Sequence, residues 1–206
     1  MLALHLYDSS LDWFRQLGMV GTTQPGVIWT GVSSYQEIEA ELQRIGGLGG
    51  RIDELWFHAH GAPGIVIMPS YGALVGYVCL DAGNVGQLKN VCFVAMAARA
   101  RVFFTGCNVG EGAQGDAFLL AAGPAMLGRF GGVMVAATSK TFSVPLVGEW
   151  LPPWGHARVA KVSAGGNVVL STSGFTTILP SLPSMPSLPA LPRLPSLPGL
   201  PRGPLM

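Results

Sequence analysis

A succession of short apolar runs separated by turn residues and helix-patterned stretches constrains this chain more than any other feature. LALHLY (residues 2–7), VIWTGV (27–32), IDELWFHA (52–59), ARVFFT (100–105) and GVMVAATS (132–139) have the length and composition of buried strands. Val102, Phe103 and Phe104 are adjacent apolar residues, as in a parallel sheet covered on both faces. Between the runs lie helix patterns. Ser33 or Ser34 can cap SSYQEIEAELQRI, in which Tyr35, Ile38, Leu42 and Ile45 recur at helical spacing, and Gly46 and Gly47 are expected to end it. NVGQLKNVCFVAMAA is read as the next helix and residues 113–127 as another, which Gly123 and Pro124 should kink or end. The runs GIVIMP and GYVCL predict a hairpin or an irregular excursion after the third strand. Residues 157–163 and 167–172, around Gly165-Gly166-Asn167, predict a terminal hairpin. Alternation of strand and helix makes the class α/β with a mostly parallel sheet.

The 206 residues fit one domain, over 1–178, with enough material for a buried core. From residue 179 the composition changes to LPSLPSMPSLPALPRLPSLPGLPRGPLM, with proline at every third position for most of its length. That period suits polyproline II, and such a composition cannot form a packed core, so a disordered proline-rich tail is expected. Only 11% of residues are charged and the formal net charge is +1, which leaves no broad field to hold nucleic acid or an anionic membrane surface. No apolar run approaches the roughly 20 residues of a membrane helix. Asp8 and Asp12 follow the first strand with no basic leader before them, so no secretory signal is expected and the cytoplasm is the default location, with export by another route left open. Three cysteines, Cys79, Cys92 and Cys107, are an odd number without ligand-like spacing, which suits a reducing compartment better than a disulfide framework.

Two constellations carry chemistry. His58-Ala59-His60-Gly61-Ala62-Pro63-Gly64 lies where one predicted strand ends, and Gly106-Cys107-Asn108 where the next one ends. Ligands bind at the carboxyl edge of open α/β sheets, so adjacent parallel strands would present an imidazole and a thiol at one edge. That arrangement suits a nucleophile and its proton-transfer partner, with His60 and Cys107 as the catalytic candidates. The flanking glycines let backbone N–H groups approach a substrate. A cysteine after a strand is also a common small buried hydrophobe, and either histidine of the pair could simply hydrogen-bond its neighbours. If both were still on the strand, His58 and His60 would share a face. His-x-His also opens the ligand set of some zinc hydrolases, but Ala62 and Pro63 occupy the places where their next ligands stand. His5 and His156 lie outside any ligand-like cluster of the sequence, so neither metal nor other cofactor is expected.

The order strand, His-Gly, strand, Gly-Cys resembles the clan CD cysteine peptidases, which include caspases, gingipains and clostripain. LHLYDSSLDWF, FHAHGAPGIV and FFTGCNVGEGAQGDAFL are similar to an uncharacterised bacterial caspase-like domain family that shows an Asp-Ser-Ser start, a His-Gly-Ser-Pro-Gly loop and a Gly-Cys-Asp/Asn loop. The likeness spans about residues 2–150, and GVMVAATS and Gly148-Glu149-Trp150 fit that family's closing segments. Ala59 and Ala62 stand where the family carries serines. The resemblance implies a three-layer caspase-like sandwich and a cysteine endopeptidase acting on a protein or peptide substrate, with Cys107 as nucleophile and His60 as proton donor to the leaving amine. By analogy with the clan, the backbone N–H groups of Gly61 and Cys107 would receive the oxyanion. Asn108, Glu111 and Asp116 are the candidates to line a substrate pocket, although compensation of helix N-terminal charge explains the two acids as well. Asp8 could lie near the same edge, or cap a helix starting at Ser9 or Ser10. The alternative is an inactive caspase-like interaction module recruited to a protein partner through the proline-rich tail.

Overall fold

The computed structural model describes residues 1–9, 25–70, 76–138, 144–146, 149–151 and 156–174. In chain order the elements are β1 (Ala3–Asp8), β2 (Val27–Val32), α1 (Tyr35–Gly47), β3 (Ile52–His58), β4 (His60–Ala62), β5 (Ile65–Ser70), β6 (Gly76–Leu80), α2 (Lys89–Ala95), β7 (Met96–Phe104), α3 (Gly112–Leu127), β8 (Gly132–Ala137), β9 (Val144–Leu146), β10 (Glu149–Leu151), β11 (His156–Val162) and β12 (Val168–Gly174). The tail and the helix expected from Ser9 or Ser10 lie outside the described residues.

The class is α/β. Seven strands form one sheet in the order β12-β11-β8-β7-β3-β1-β2. β2, β1, β3, β7 and β8 are parallel, while β11 runs antiparallel to β8 and β12 antiparallel to β11. The terminal hairpin is thus the one expected around Gly165-Gly166. β4, β5 and β6 make a separate antiparallel sheet after β3, which resolves the expected excursion.

Side chains alternate across the parallel strands. Leu4, Leu6, Leu55, Phe57, Val102, Phe104, Met134 and Ala136 join the large core that also holds Ile38, Leu42, Cys92, Phe118 and Met126 of the helices. α2 packs between α1 and α3, so the three described helices form one layer. Trp56, Phe103, Val135, Ala137 and Ala157 form a second buried cluster on the opposite face. The layer expected over that face falls outside the described residues. No helix among the described residues is long and apolar enough to cross a membrane.

Helix boundaries depart from expectation where tertiary contacts override local preference. Ser34 caps α1 by accepting from the Glu37 N–H, and the Glu37 carboxylate reaches back to the Ser33 N–H, an exchange close to a capping box. α1 runs through Gly46 and Gly47, and the chain turns at Gly49, which takes a φ of 77°. The helix expected over 84–98 is a 3-10 turn at Val85–Leu88 followed by α2, and Met96, read as helical, opens β7. Val85, Leu88, Cys92 and Ala95 are buried at helical spacing, and that spacing stops at Ala95. Pairing of Met96 with Ile52 then wins over the helix preference of Met-Ala-Ala, and a bulge with Arg99 at a φ of 59° takes up the extra residues before Arg101 pairs with Glu54. α3 continues through Pro124 to Leu127, so of the kink or end expected at Gly123 and Pro124 the helix does not end there. The missing bond costs about 3 kcal/mol. Burial of Phe118, Leu119, Ala122 and Met126 offsets it, at roughly 1.5–3 kcal/mol for each large side chain.

Candidate active site

Because β1, β3 and β7 are parallel neighbours, their last residues, Asp8, His58 and Phe104, share one edge of the sheet. The two motifs follow at that edge. His58 and His60 do not share a face, because β3 stops at His58 and His60 opens β4 in the second sheet. His58 is buried on the face away from the helices, whereas His60 is exposed.

The β4 backbone lies directly on the Cys107 loop. A Cβ on Gly61 would stand 2.5 Å from Val109 Cγ2, 2.8 Å from the Cys107 carbonyl oxygen and 3.1 Å from the Gly106 carbonyl carbon. A Cβ on Gly106 would stand 3.0 Å from the His60 carbonyl oxygen and 3.2 Å from that of Ala59. Only residues without a side chain permit this approach, so the glycines beside His60 and Cys107 are what bring the two segments together. Ala62 and Ile65 close a two-residue turn in which Pro63 precedes Gly64 at a φ of 72°. The bonds of an antiparallel pair alternate, so the Gly61 N–H points away from β5, toward the open edge of the small sheet.

The Cys107 loop is fastened on three sides. The Thr105 N–H and hydroxyl both donate to the Phe57 carbonyl, at 3.1 and 2.9 Å. The Gly64 N–H donates to Val109, and the Gly110 N–H donates to Ala137 at the end of β8. Cys107 is half-buried between them, and Asn108 takes the left-handed conformation, with a φ of 60°. Asparagine tolerates that conformation better than other side chains. Glu111 is the exposed residue before α3 and makes no capping bond with its side chain. Asp116 accepts from Arg158 with both carboxylate oxygens, at 2.6 and 2.8 Å, so its charge is engaged by β11. Asp8 is fully buried and close enough to Cys79 of β6 to help raise that thiol, after burial, to about 12. Burial also raises Cys92 to about 12.

Sequence reasoning missed His5. It lies between Leu4 and Leu6 and therefore faces the opposite side of the sheet. Strand register sets it against Trp29 and Trp56, and its ring stacks on both, with centroids 4.1 and 5.5 Å apart. Its Nδ1 is 2.9 Å from His58 Nε2. Burial lowers His5 to about 3. Burial and then the neighbouring His5 hold His58 well below its ordinary value, so both rings are neutral at pH 7. His5 thus belongs to a pair, but no group of three or more His, Cys, Asp or Glu side chains able to hold a metal occurs among the described residues. His156 is exposed at the start of β11.

No protein-family model matches this chain, and no curated protein matches it. The functional reading therefore rests on the edge geometry and the side chains themselves.

Proposed function

We propose that the chain is a caspase-like cysteine endopeptidase of the clan CD kind, with Cys107 as nucleophile and His60 as its proton-transfer partner. The observation that carries this reading is the close seating of Gly61 on the Gly106–Cys107 backbone. In the proposed reaction the Cys107 sulfur attacks a peptide carbonyl carbon and gives its proton to His60. In this reading the oxyanion is received by the backbone N–H groups of Gly61 and Cys107, because the charge that develops on the carbonyl oxygen needs donors. His60 then protonates the amine as the C–N bond breaks, leaving an acyl thioester on Cys107. Water cleaves the thioester, releasing the new carboxyl end and restoring the thiol. A reducing compartment, such as the cytoplasm, would keep that thiol available. The substrate is a protein or peptide, with Asn108 and Glu111 beside its path. Asp116 would serve there through its pairing with Arg158.

The chain supplies its own control, because Cys79 and Cys92 are buried with thiols raised to about 12, a state that makes thiols inert. Treatment with a peptidyl acyloxymethylketone followed by mass spectrometry should modify Cys107 alone, and Cys107→Ala should abolish all labelling. Equal labelling of wild type and Cys107→Ala would refute the assignment.

A further inference from the structure

Thr105 and His58 each stand two residues before a proposed catalytic residue, and they meet each other. Thr105 Oγ1 lies 3.4 Å from His58 Nδ1, and His58 Nε2 lies 2.9 Å from His5 Nδ1. One order of donors and acceptors follows when the Thr105 hydroxyl serves the carbonyl. The Thr105 hydroxyl gives its single proton to the Phe57 carbonyl at 2.9 Å, so its lone pair faces His58 Nδ1 and can only accept. His58 must then carry its proton on Nδ1, which leaves Nε2 as the acceptor for a proton on His5 Nδ1. The chain runs from His5 to His58 to Thr105 to Phe57, and it ties the middle of β1 to the end of β3 and to the residue that follows β7. With both rings neutral, each of these bonds has one donor and one acceptor.

We propose that this chain is a positioning brace. It fixes the separation of the β3 and β7 ends and thereby sets the approach of the His60 ring to the Cys107 sulfur. The inference rests on the peptidase reading above. Neither Thr105 nor His58 touches substrate in it. Both act through the segments they anchor, and a displacement of about 1 Å at reacting groups can cost up to a hundredfold in rate.

The test is inactivation of the full chain by the peptidyl acyloxymethylketone, resolved into the maximal rate of inactivation and the half-saturating concentration. Thr105→Val keeps the shape and removes the hydroxyl, so the maximal rate should fall about tenfold or more with half-saturation unchanged. Thr105→Ser keeps the hydroxyl and should restore the wild-type rate. A folded Thr105→Val protein with the wild-type rate would overturn the brace alone, as would a serine variant no better than the valine one. Absence of Cys107 labelling in wild type would overturn the peptidase reading and the brace with it. Should Thr105→Val fail to fold, imidazole nitrogen shifts of the wild-type protein decide. Protons on Nδ1 of both His5 and His58 are expected, and a proton on His58 Nε2 in the neutral ring would overturn the chain of bonds.

Discussion

His58 and His60 are separated by one alanine and have entirely different chemistry. His60 opens a strand at the exposed edge, whereas His58 is a buried neutral ring bonded to His5 and Thr105, and its burial opposes charging. The buried pair makes stability depend on acid. The folded-state values lie below 6.5, so unfolding takes up protons once the pH falls below 6.5. The stabilisation is complete above that value and is lost as the pH drops toward the folded values, about 3 for His5. Between pH 7.5 and pH 5, His5 alone should lose about 2 kcal/mol, with His58 acting in the same direction. Glu41, held low by its bond to Arg44, gives up its share only at lower pH. Urea midpoints at the two pH values should show the loss, and His5→Phe, which keeps a stacking ring, should reduce it; identical midpoints in wild type at both values would refute the neutral pair. The histidine and cysteine of the motifs were legible in the sequence because glycines flank them at strand ends. His5 was not, since its role depends on a register between β1 and β3 that no local pattern encodes.

At the scale of elements, the central strands were readable because short runs of Val, Ile, Leu and Phe suit a pleated surface covered on both sides. Helix ends were less so. The end of α2 at Ala95 and the passage of α3 through Pro124 depend on contacts with other elements: the pairing of Met96 with Ile52, and the burial of the apolar side of α3. The element that matters most to the site is β4, three residues long, whose place over the Cys107 loop depends on the absence of a side chain at Gly61. Gly61→Ala would drive a methyl group into Val109 and the Cys107 carbonyl, with a destabilisation of about 1–3 kcal/mol. Thermal melting should register that cost, and Cys107 labelling by the peptidyl probe should fall sharply in protein that remains folded. Unchanged labelling in a folded Gly61→Ala protein would mean that the close seating of β4 has no part in the chemistry.

For the whole molecule, strand alternation was enough to give the class, because parallel strands need crossovers and α/β sheets supply them. The order β2-β1-β3-β7-β8 was not legible, since it depends on which crossovers return to which side of β1. That order makes β3 and β7 immediate neighbours, so the segments after them, carrying His60 and Cys107, leave the sheet side by side. The proposed brace and the glycine contacts involve the same pair of segments. The measurement that tests this account most directly compares wild type with His60→Ala for the rate at which the peptidyl acyloxymethylketone modifies Cys107, with a small alkylating reagent as a check on exposure. Loss of the imidazole should slow the peptidyl probe by about a hundredfold or more while Cys107 stays open to the small reagent. Equal rates in the two proteins would contradict a working His60–Cys107 dyad.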